Sequence, residues 1–250
     1  MRRLKVFAAH ELINEKFKLG GDAVSLAFGL AFDRAISNLN YYEYRTGGLA
    51  KRLAWGALRH FMWEFSRLAP EGVEVRQYAA KAWRMICAFR KTPAYGVLRD
   101  KTRAVVVDGE VAMYAQPDFA DDFENVIYEV KSYELDGVWL EASRYQVRLF
   151  QLAYPDHAAC LIGFKCAPQG GVEPQILRLE PLSDLPREEV CRLLREVLDF
   201  GRNSVREEEL ADIEEDRTVI FYDPGGSYRV KPRWVPAAEC EGEFEDLNGQ

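Results

Sequence analysis

Residues 103–119 change the character of this chain from helical to extended. The β-branched run RAVVV at residues 103–107 is followed by Asp108-Gly109 and then by the extended run EVAMYAQPDF at residues 110–119. Asp-Gly between two β-rich runs is a strong signal for a β-hairpin. The sequence therefore predicts a pair of adjacent strands near the middle of the chain.

Helical patterns precede this hairpin, and strands and helices alternate after it. Apolar residues at helical spacing predict helices over residues 48–68 and 75–89, and the first hundred residues as a whole are interpreted as helical. Further strands are predicted at residues 125–132, 158–165 and 175–179, and a helix at residues 139–154. A last helix is expected to be capped by Asp184 and stopped by Gly201. This order predicts an α/β or α+β sheet flanked by helices.

Three parts follow from these patterns: a helical N-terminal part over residues 1–100, a core over residues 101–205, and an acidic, irregular C-terminal tail over residues 206–250. The composition excludes a disordered chain or a coiled coil, because 12% of the residues are aromatic and the chain holds 18 Gly and 11 Pro. No apolar run is long enough to span a membrane. His10 and Glu11 interrupt the N-terminal apolar stretch too early for a secretory signal, so a cytoplasmic protein without a membrane partner is expected.

Charge is unevenly distributed along the chain. Residues 1–105 carry a net charge of +10 and residues 106–250 a net charge of −17, within an overall −7. Twelve acidic side chains lie in two short segments, residues 207–216 and 239–246, and the second part stays acidic without them. The acids are compatible with solvated C-terminal segments, whereas the basic first part indicates a side that faces a polyanion.

The five cysteines are scattered, at Cys87, Cys160, Cys166, Cys191 and Cys240. They form no CxxC pair and no cluster with histidine, so neither a zinc site nor an iron–sulfur site is indicated. Reduced and mostly buried thiols are the expected state.

The sharpest chemical pattern lies on the second and third predicted strands. Gln116-Pro117-Asp118 ends one strand, and Glu129-Val130-Lys131 lies on the next. If the two strands are neighbours, two carboxylates and an ammonium meet at one end of the sheet, with Glu129 and Lys131 on the same face. The carbonyl of Val130 adds a neutral oxygen. Such an oxygen set suits Mg²⁺ or Mn²⁺, which polarises a phosphate and activates a water, while burial and the cation favour loss of the Lys131 proton.

Two further segments bear on this pattern. The segment RYQVRLFQLAY carries Gln146 and Phe150 on one helical face, with Arg144 and Arg148 as an i,i+4 pair suited to phosphate contact. An amphipathic helix with a solvated arginine edge explains the same segment. His60 has Gly56 one turn before it, which would leave room for close backbone approach, and Glu64 one turn after it, which could orient its ring. A histidine satisfied within the core is the alternative.

The ordered set G-x-x-x-H, PD, E-V-K and a glutamine-bearing helix resembles the PD-(D/E)XK nuclease superfamily, and within it the RecB-like exonuclease branch that includes the fourth family of CRISPR-associated antiviral defence proteins. The resemblance covers residues 45–165 and implies a restriction-endonuclease-like central mixed sheet flanked by helices. It also implies that His60, Asp118, Glu129 and the Val130 carbonyl hold Mg²⁺ or Mn²⁺, that Lys131 is the catalytic lysine, and that Gln146 lines the site.

Two positions depart from that family's pattern. Phe150 stands where the Q-x-x-x-Y motif has its tyrosine. The chain has no cysteine before Cys87 and no C-terminal cysteine triplet, so no iron–sulfur cluster is expected.

The sequence thus predicts a metal-dependent DNA nuclease, acting as an exonuclease on single-stranded or end-bearing DNA. The side chains expected to contact nucleic acid are those of Lys51, Arg52, Arg59, Arg144, Tyr145 and Arg148. Two alternatives remain open: an inactive relative that binds nucleic acid or acts as a scaffold with other nucleic-acid-processing proteins, and an α/β protein in which Asp118, Glu129 and Lys131 form a structural ion-pair network.

Overall fold

Six α-helices and ten β-strands occur in the described part of the computed structural model, which covers residues 3–46, 50–99, 102–168, 170–209, 213, 217–223 and 227–231. None of the described helices has both the length and the apolar sequence needed to cross a membrane. In chain order the elements are β1 (Arg3–Ala8), α1 (Ala9–Phe17), α2 (Ala23–Thr46), α3 (Ala50–Leu68), α4 (Val75–Phe89), β2 (Arg103–Val107), β3 (Val111–Ala115), β4 (Phe119–Asp121), β5 (Val126–Val130), α5 (Gly137–Gln151), β6 (Ala158–Cys166), β7 (Val172–Leu179), a 3-10 turn (Leu182–Asp184), α6 (Arg187–Arg202), β8 (Glu207–Glu209), β9 (Arg217–Asp223) and β10 (Ser227–Lys231).

The predicted hairpin is confirmed. β2 and β3 pair antiparallel, with Val107 opposite Val111. Asp108 and Gly109 have φ values of 50° and 58°, the left-handed region that Gly tolerates and Asp accepts better than most residues. The Asp-Gly pair therefore supplies the backbone conformation that this tight connection requires.

The strands form two mixed sheets, and helices flank them, so the chain is an α/β protein. The larger sheet has the order β10-β9-β2-β3-β1-β8, and the smaller has the order β4-β5-β6-β7. The sequence predicted one extended run over residues 110–119, but the chain leaves the larger sheet after Ala115 and enters the smaller one at Phe119. Pro117 lies between them, and its missing N–H cannot continue a ladder of hydrogen bonds.

The smaller sheet is buried on both faces. On one face, Val126, Tyr128 and Val130 pack against the core of α2, α3 and α4. On the other face, Ile127 and Leu161 belong to the core shared with α5, α6 and the larger sheet. Because side chains alternate along a strand, Glu129 lies on the face of Ile127, toward α5.

Both ends of the chain differ from the sequence-based expectation. Residues 3–8 were expected to be helical, but β1 pairs parallel with β3 and antiparallel with β8. The tail was expected to be irregular, but β9 and β10 form a hairpin, and β9 pairs parallel with β2. The pairings of β1 with β3 and β8 and of β9 with β2 join segments about a hundred or more residues apart, so short-range patterns carry little sign of them. The β9–β10 hairpin is a local pairing, with Asp223 opposite Ser227.

The ends of α6 also differ from the prediction. The residue before the helix is Pro186, whereas Asp184 lies in the preceding 3-10 turn and caps nothing. Gly201 lies inside α6 rather than beyond its end. A Cβ at Gly201 would collide with the side chains of Val111 and Phe7, so this glycine is present because α6 lies directly on β1 and β3.

Candidate active site

Asp118 and the E-V-K segment meet at the hairpin of the smaller sheet. β4 and β5 pair antiparallel, with Phe119 opposite Tyr128, so Asp118 comes to lie beside the end of β5. Oδ2 of Asp118 accepts a hydrogen bond from the main-chain N–H of Val130 at 2.7 Å. The predicted convergence of Asp118 with the E-V-K segment is therefore confirmed, but the strand that pairs with β5 is β4 and not the predicted run over residues 110–119, whose first part is β3 of the larger sheet.

Lys131 is held at the end of β5 by its backbone and by its side chain. Its N–H donates to the carbonyl of Ile162 on β6 at 2.7 Å. Its Nζ donates to Oε1 of Glu129 and to Oε1 of Gln146, each at 2.6 Å. The prediction that Glu129 and Lys131 share a face is correct, and α5 brings Gln146 to the same point. A carboxylate, an ammonium and an amide oxygen thus converge at the carboxyl end of β5.

The pKa of Asp118 is raised well above its ordinary value. Burial is the main cause, and the negative charges of Glu129 and Asp33 add to it. The Lys131 ammonium and the Val130 hydrogen bond act in the opposite direction. Three carboxyl groups therefore lie near the Lys131 ammonium, and one of them, Asp33, also pairs with Arg99 at 3.0 Å.

Lys131 carries its proton in this arrangement. Burial alone lowers the pKa of its amine, but the charge of Glu129, followed by Tyr133 and Asp118, raises the pKa above its ordinary value. The expected loss of the Lys131 proton is not favoured while only these groups surround it, because the carboxylates outweigh the cost of burying the ammonium.

Asp33 is the site residue that the sequence reasoning missed. It lies on α2, which approaches the end of β5 so closely that a Cβ at Gly29 would be 3.3 Å from Oγ of Ser132. Gly29 precedes Asp33 by one helical turn, the same spacing as Gly56 and His60. The same glycine spacing thus precedes Asp33 and His60, and the sequence-based prediction used it for the histidine alone. Asp33, Asp118, Glu129 and Lys131 are called the carboxylate–lysine cluster below.

The described contacts of His60 lie within α3 and include no residue of this cluster. Nε2 of His60 lies 3.9 Å from Oε1 of Glu64, and Glu64 is also bound by Arg34 of α2. The prediction that Glu64 lies beside the imidazole is confirmed, but the predicted metal ligation by His60 is not supported. The expected close approach at Gly56 is also wrong, because a Cβ there would have no neighbouring atom within 4 Å.

The donor set of the cluster fits a divalent cation, although it is not a preformed cage. Oε2 of Glu129 and Oδ1 of Asp33 are buried and have no hydrogen-bond partner among the described residues. Buried carboxylate oxygens without partners are rare and costly. However, no group of three or more His, Cys, Asp or Glu side chains within the described ranges is already arranged to hold a metal ion.

The described side chains predicted to contact nucleic acid lie on two helices, α3 and α5. Arg52, Arg59 and Arg144 are exposed, while the side chain of Lys51 lies outside the described part. Arg148 donates to Oε1 of Gln151 and to the carbonyl of Glu180, so it anchors the end of α5 to the chain after β7.

Tyr145 faces away from the cluster. Its hydroxyl donates to Glu196 on α6, and Nζ of Lys16 lies 4.0 Å from the centroid of its ring. Burial, together with the hydrogen bond to Glu196, raises the pKa of the Tyr145 hydroxyl. These contacts make Tyr145 a packing residue between α5, α6 and Lys16 of α1, so Tyr145 is not part of the proposed nucleic-acid interface.

Tyr133 is the tyrosine near Lys131. Phe150, at the motif's tyrosine position, is buried in the core. Tyr154 is also buried, and the guanidinium of Arg103 lies 3.8 Å from its ring centroid. By contrast, Tyr133 is close enough to raise the pKa of Lys131, and its hydroxyl lies 3.1 Å from Oγ of Ser143. Tyr133 therefore contributes an aromatic hydroxyl close to the lysine of the site.

The chain matches no protein-family model, no curated protein and no solved structure.

Proposed function

We propose that this protein is a metal-dependent nuclease of the PD-(D/E)XK type, with a RecB-like arrangement of its site. The observation that carries the proposal is the pair of hydrogen bonds from Nζ of Lys131 to Glu129 and Gln146, with Asp118 fixed beside them. A buried carboxylate–lysine group at a strand end is suited to charge stabilisation during phosphoryl chemistry. The antiparallel β4–β5 hairpin and the parallel β5–β6 pair linked by α5 support a restriction-endonuclease-like core.

The residues that would hold Mg²⁺ or Mn²⁺ are Asp118, Glu129 and Asp33. Their oxygens are the hard ligands that these ions prefer. Burial and the negative charges of Glu129 and Asp33 raise the pKa of Asp118, and a cation would offset both effects. When bound, the cation would polarise a phosphodiester and lower the pKa of an attacking water. Asp33 replaces His60 in this proposal, because α2 rather than α3 faces the cluster.

Lys131 supplies positive charge rather than a base. Its protonated Nζ is positioned to donate a hydrogen bond to a phosphate oxygen, where negative charge accumulates during hydrolysis. Gln146 fixes the ammonium through one hydrogen bond, and Glu129 fixes it through another. The hydroxyl of Tyr133, which lies 3.1 Å from Oγ of Ser143, is close enough to Lys131 to affect the pKa of its amine. The substrate class is DNA, with single-stranded or end-bearing molecules as the preferred form.

The test is cleavage of end-labelled single- and double-stranded DNA in Mn²⁺ by the wild-type protein and by Lys131→Ala. We expect cleavage by the wild type, none in EDTA, and loss of at least ~100-fold in rate for the variant with its fold retained. Lys165→Ala is the matched control, because Lys165 is exposed and its ion pair, among the described residues, is with Glu134. Equal rates for the wild type and Lys131→Ala would refute the assignment.

A second candidate is a nucleic-acid-binding or scaffolding subunit that does not cleave. It is favoured by the lack of a preformed three-residue metal group among the described residues. Binding of DNA without metal-dependent cleavage would support it. A structural ion-pair network is separated from the proposed nuclease by titration with Mn²⁺, since a specific site raises the midpoint of thermal unfolding and a closed network does not.

A further inference from the structure

One face of α3 exposes arginine and tryptophan side chains in alternation. Arg52, Trp55, Arg59, Trp63 and Arg67, called the α3 stripe below, are three or four residues apart and so share one helical face. Trp55 and Trp63 are each 53% exposed, whereas tryptophan is highly buried on average. Two large aromatic rings left in water on one helix face indicate a binding surface.

The charge around the α3 stripe is positive. Glu64, the only acidic residue in the sequence of α3, is buried and bound by Arg34. α4, which packs beside α3, adds Arg76, Lys81 and Arg84 and has no acidic residue. The whole chain is nevertheless acidic, with a net charge of −7. Positive charge segregated onto one face of an acidic protein is complementary to a polyanion.

Both tryptophan rings are held in place by neighbours. The guanidinium of Arg67 lies 4.6 Å from the ring centroid of Trp63. Trp55 stacks on Trp83 of α4, with centroids 4.6 Å apart and an interplanar angle of 29°. Rings that are ordered before binding lose less entropy when a ligand stacks on them. From the rise of an α-helix, the two positions are ~12 Å apart along α3.

We propose that the α3 stripe binds single-stranded nucleic acid, with bases stacked on Trp55 and Trp63 and phosphates contacted by the arginines. Unpaired bases expose the ring faces that such stacking needs, and a duplex hides them. The inference rests on the proposed function, for which the α3 stripe would hold the strand near the cluster. Arg34 of α2 binds Glu64 of α3. Asp33, which precedes Arg34 in the sequence, belongs to the carboxylate–lysine cluster, so α2 lies between the α3 stripe and the cluster.

The first experiment measures fluorescence anisotropy of labelled oligo(dT) and of a duplex of equal length, in EDTA so that no cleavage occurs. We expect Trp63→Ala to weaken binding of oligo(dT) about tenfold, and Trp55→Ala/Trp63→Ala about a hundredfold, with tighter binding of the single strand than of the duplex by the wild type. Phe123→Ala is the control, since Phe123 is 90% exposed and lies at the β4–β5 hairpin, away from α3.

The second experiment measures the salt dependence of the same binding. Arg52→Gln/Arg59→Gln/Arg67→Gln is expected to reduce the slope of log K against log salt by about two, because each lost phosphate contact removes ~0.7. The control variant is Arg187→Gln/Arg192→Gln/Arg202→Gln, which removes the same charge from α6, where the three arginines are exposed. A slope reduced equally by both triple variants would overturn the assignment of the contacts to the α3 stripe.

Trp63→Ala is expected to fold as the wild type does, because the ring contacts of Trp63 with His60 and Arg67 lie within α3. Unchanged affinity in this variant, equal affinity for duplex and single strand, or binding to phosphatidylglycerol vesicles but not to oligo(dT), would each overturn the proposal. Binding that depends on the α3 stripe without cleavage in Mn²⁺ would retain it and refute only the proposed nuclease. Cleavage in Mn²⁺ with the affinity for oligo(dT) unchanged in both tryptophan variants would retain the proposed nuclease and overturn the binding role of the α3 stripe.

Discussion

Nζ of Lys131 donates a hydrogen bond to Oε1 of Gln146 at 2.6 Å, across the gap between the end of β5 and α5. Glu129 accepts the second hydrogen bond of the same ammonium. An ammonium on a flexible stem has many orientations, and two acceptors at short distance restrict it to one. Gln146 is therefore a positioning residue for Lys131.

Gln146→Ala is expected to slow DNA cleavage roughly ten- to a hundredfold, because Lys131 keeps its charge but loses part of its orientation. The effect should fall on kcat, with KM little changed, since the amide holds the lysine and not the strand. Steady-state kinetics in Mn²⁺ on an end-labelled oligonucleotide measures both quantities.

Gln151→Ala is the matched control on the same helix. Gln151 is fully buried, and its Nε2 donates to the carbonyls of His157 and Glu180, each at 2.8 Å. Its loss removes two hydrogen bonds of a fully buried amide and should cost about 1–3 kcal/mol of unfolding free energy without changing kcat of the folded protein. A fall in kcat for Gln151→Ala as large as that for Gln146→Ala would contradict the positioning role.

Substitutions of Asp33 and of His60 are expected to differ in their effect on metal binding. Excess Mn²⁺ is expected to raise the thermal midpoint of the wild type, because a ligand that binds only the folded state stabilises it. Asp33→Asn should lose most of this increment, since it removes a buried carboxylate oxygen beside Asp118. His60→Ala should keep the increment. Differential scanning fluorimetry with and without Mn²⁺ checks both variants. An increment lost in His60→Ala and kept in Asp33→Asn would show that His60, and not Asp33, is the metal ligand.

Much of the central region was predictable from short-range patterns. The Asp108-Gly109 hairpin, the helices α3 and α4, and the convergence of Asp118 with Glu129 and Lys131 all follow from local signals: turn chemistry, apolar periodicity and strand alternation. The position of Gln146 was expected only from the family resemblance, and in the structure α5, the crossover between the parallel strands β5 and β6, brings Gln146 to Lys131.

The choice of helix that covers the site was not predictable in this way. α2 and α3 each carry a glycine one turn before a polar residue, Gly29 before Asp33 and Gly56 before His60. Which helix faces β5 depends on packing among α2, α3 and α4, and only the contact of Gly29 with Ser132 identifies α2. β1 and β9 were missed for a related reason, since each pairs with a strand about a hundred residues away.

The raised pKa of Asp118 predicts a pH-dependent stability in the metal-free protein. A carboxyl group with a higher pKa in the folded than in the unfolded state stabilises the fold below the unfolded value of ~3.9. This stability is lost as the pH rises through the raised, folded-state pKa. Within that window the free energy of unfolding should fall with pH, by at most ~1.4 kcal/mol per pH unit from this group.

Asp118→Asn isolates that contribution, because the amide oxygen still accepts from the N–H of Val130 but cannot ionise. The variant is expected to gain stability relative to the wild type as the pH rises from about 4 toward neutrality. Urea unfolding at a series of pH values in EDTA measures the difference. A difference that is constant over this range would show that Asp118 does not titrate in the window.

Two glycines inside helices are expected to respond to alanine in opposite directions. At Gly201 a Cβ would overlap Val111 and Phe7, where α6 lies on the larger sheet, so Gly201→Ala should destabilise the protein by about 1–3 kcal/mol. At Gly56 a Cβ meets nothing within 4 Å, so Gly56→Ala should stabilise α3 by about 0.5–1 kcal/mol through its helix propensity. For a chain of this size each kcal/mol shifts Tm by ~2–4 °C, within reach of calorimetry. A rise in Tm for Gly201→Ala would mean that α6 does not approach β1 and β3 as closely as the structure has it.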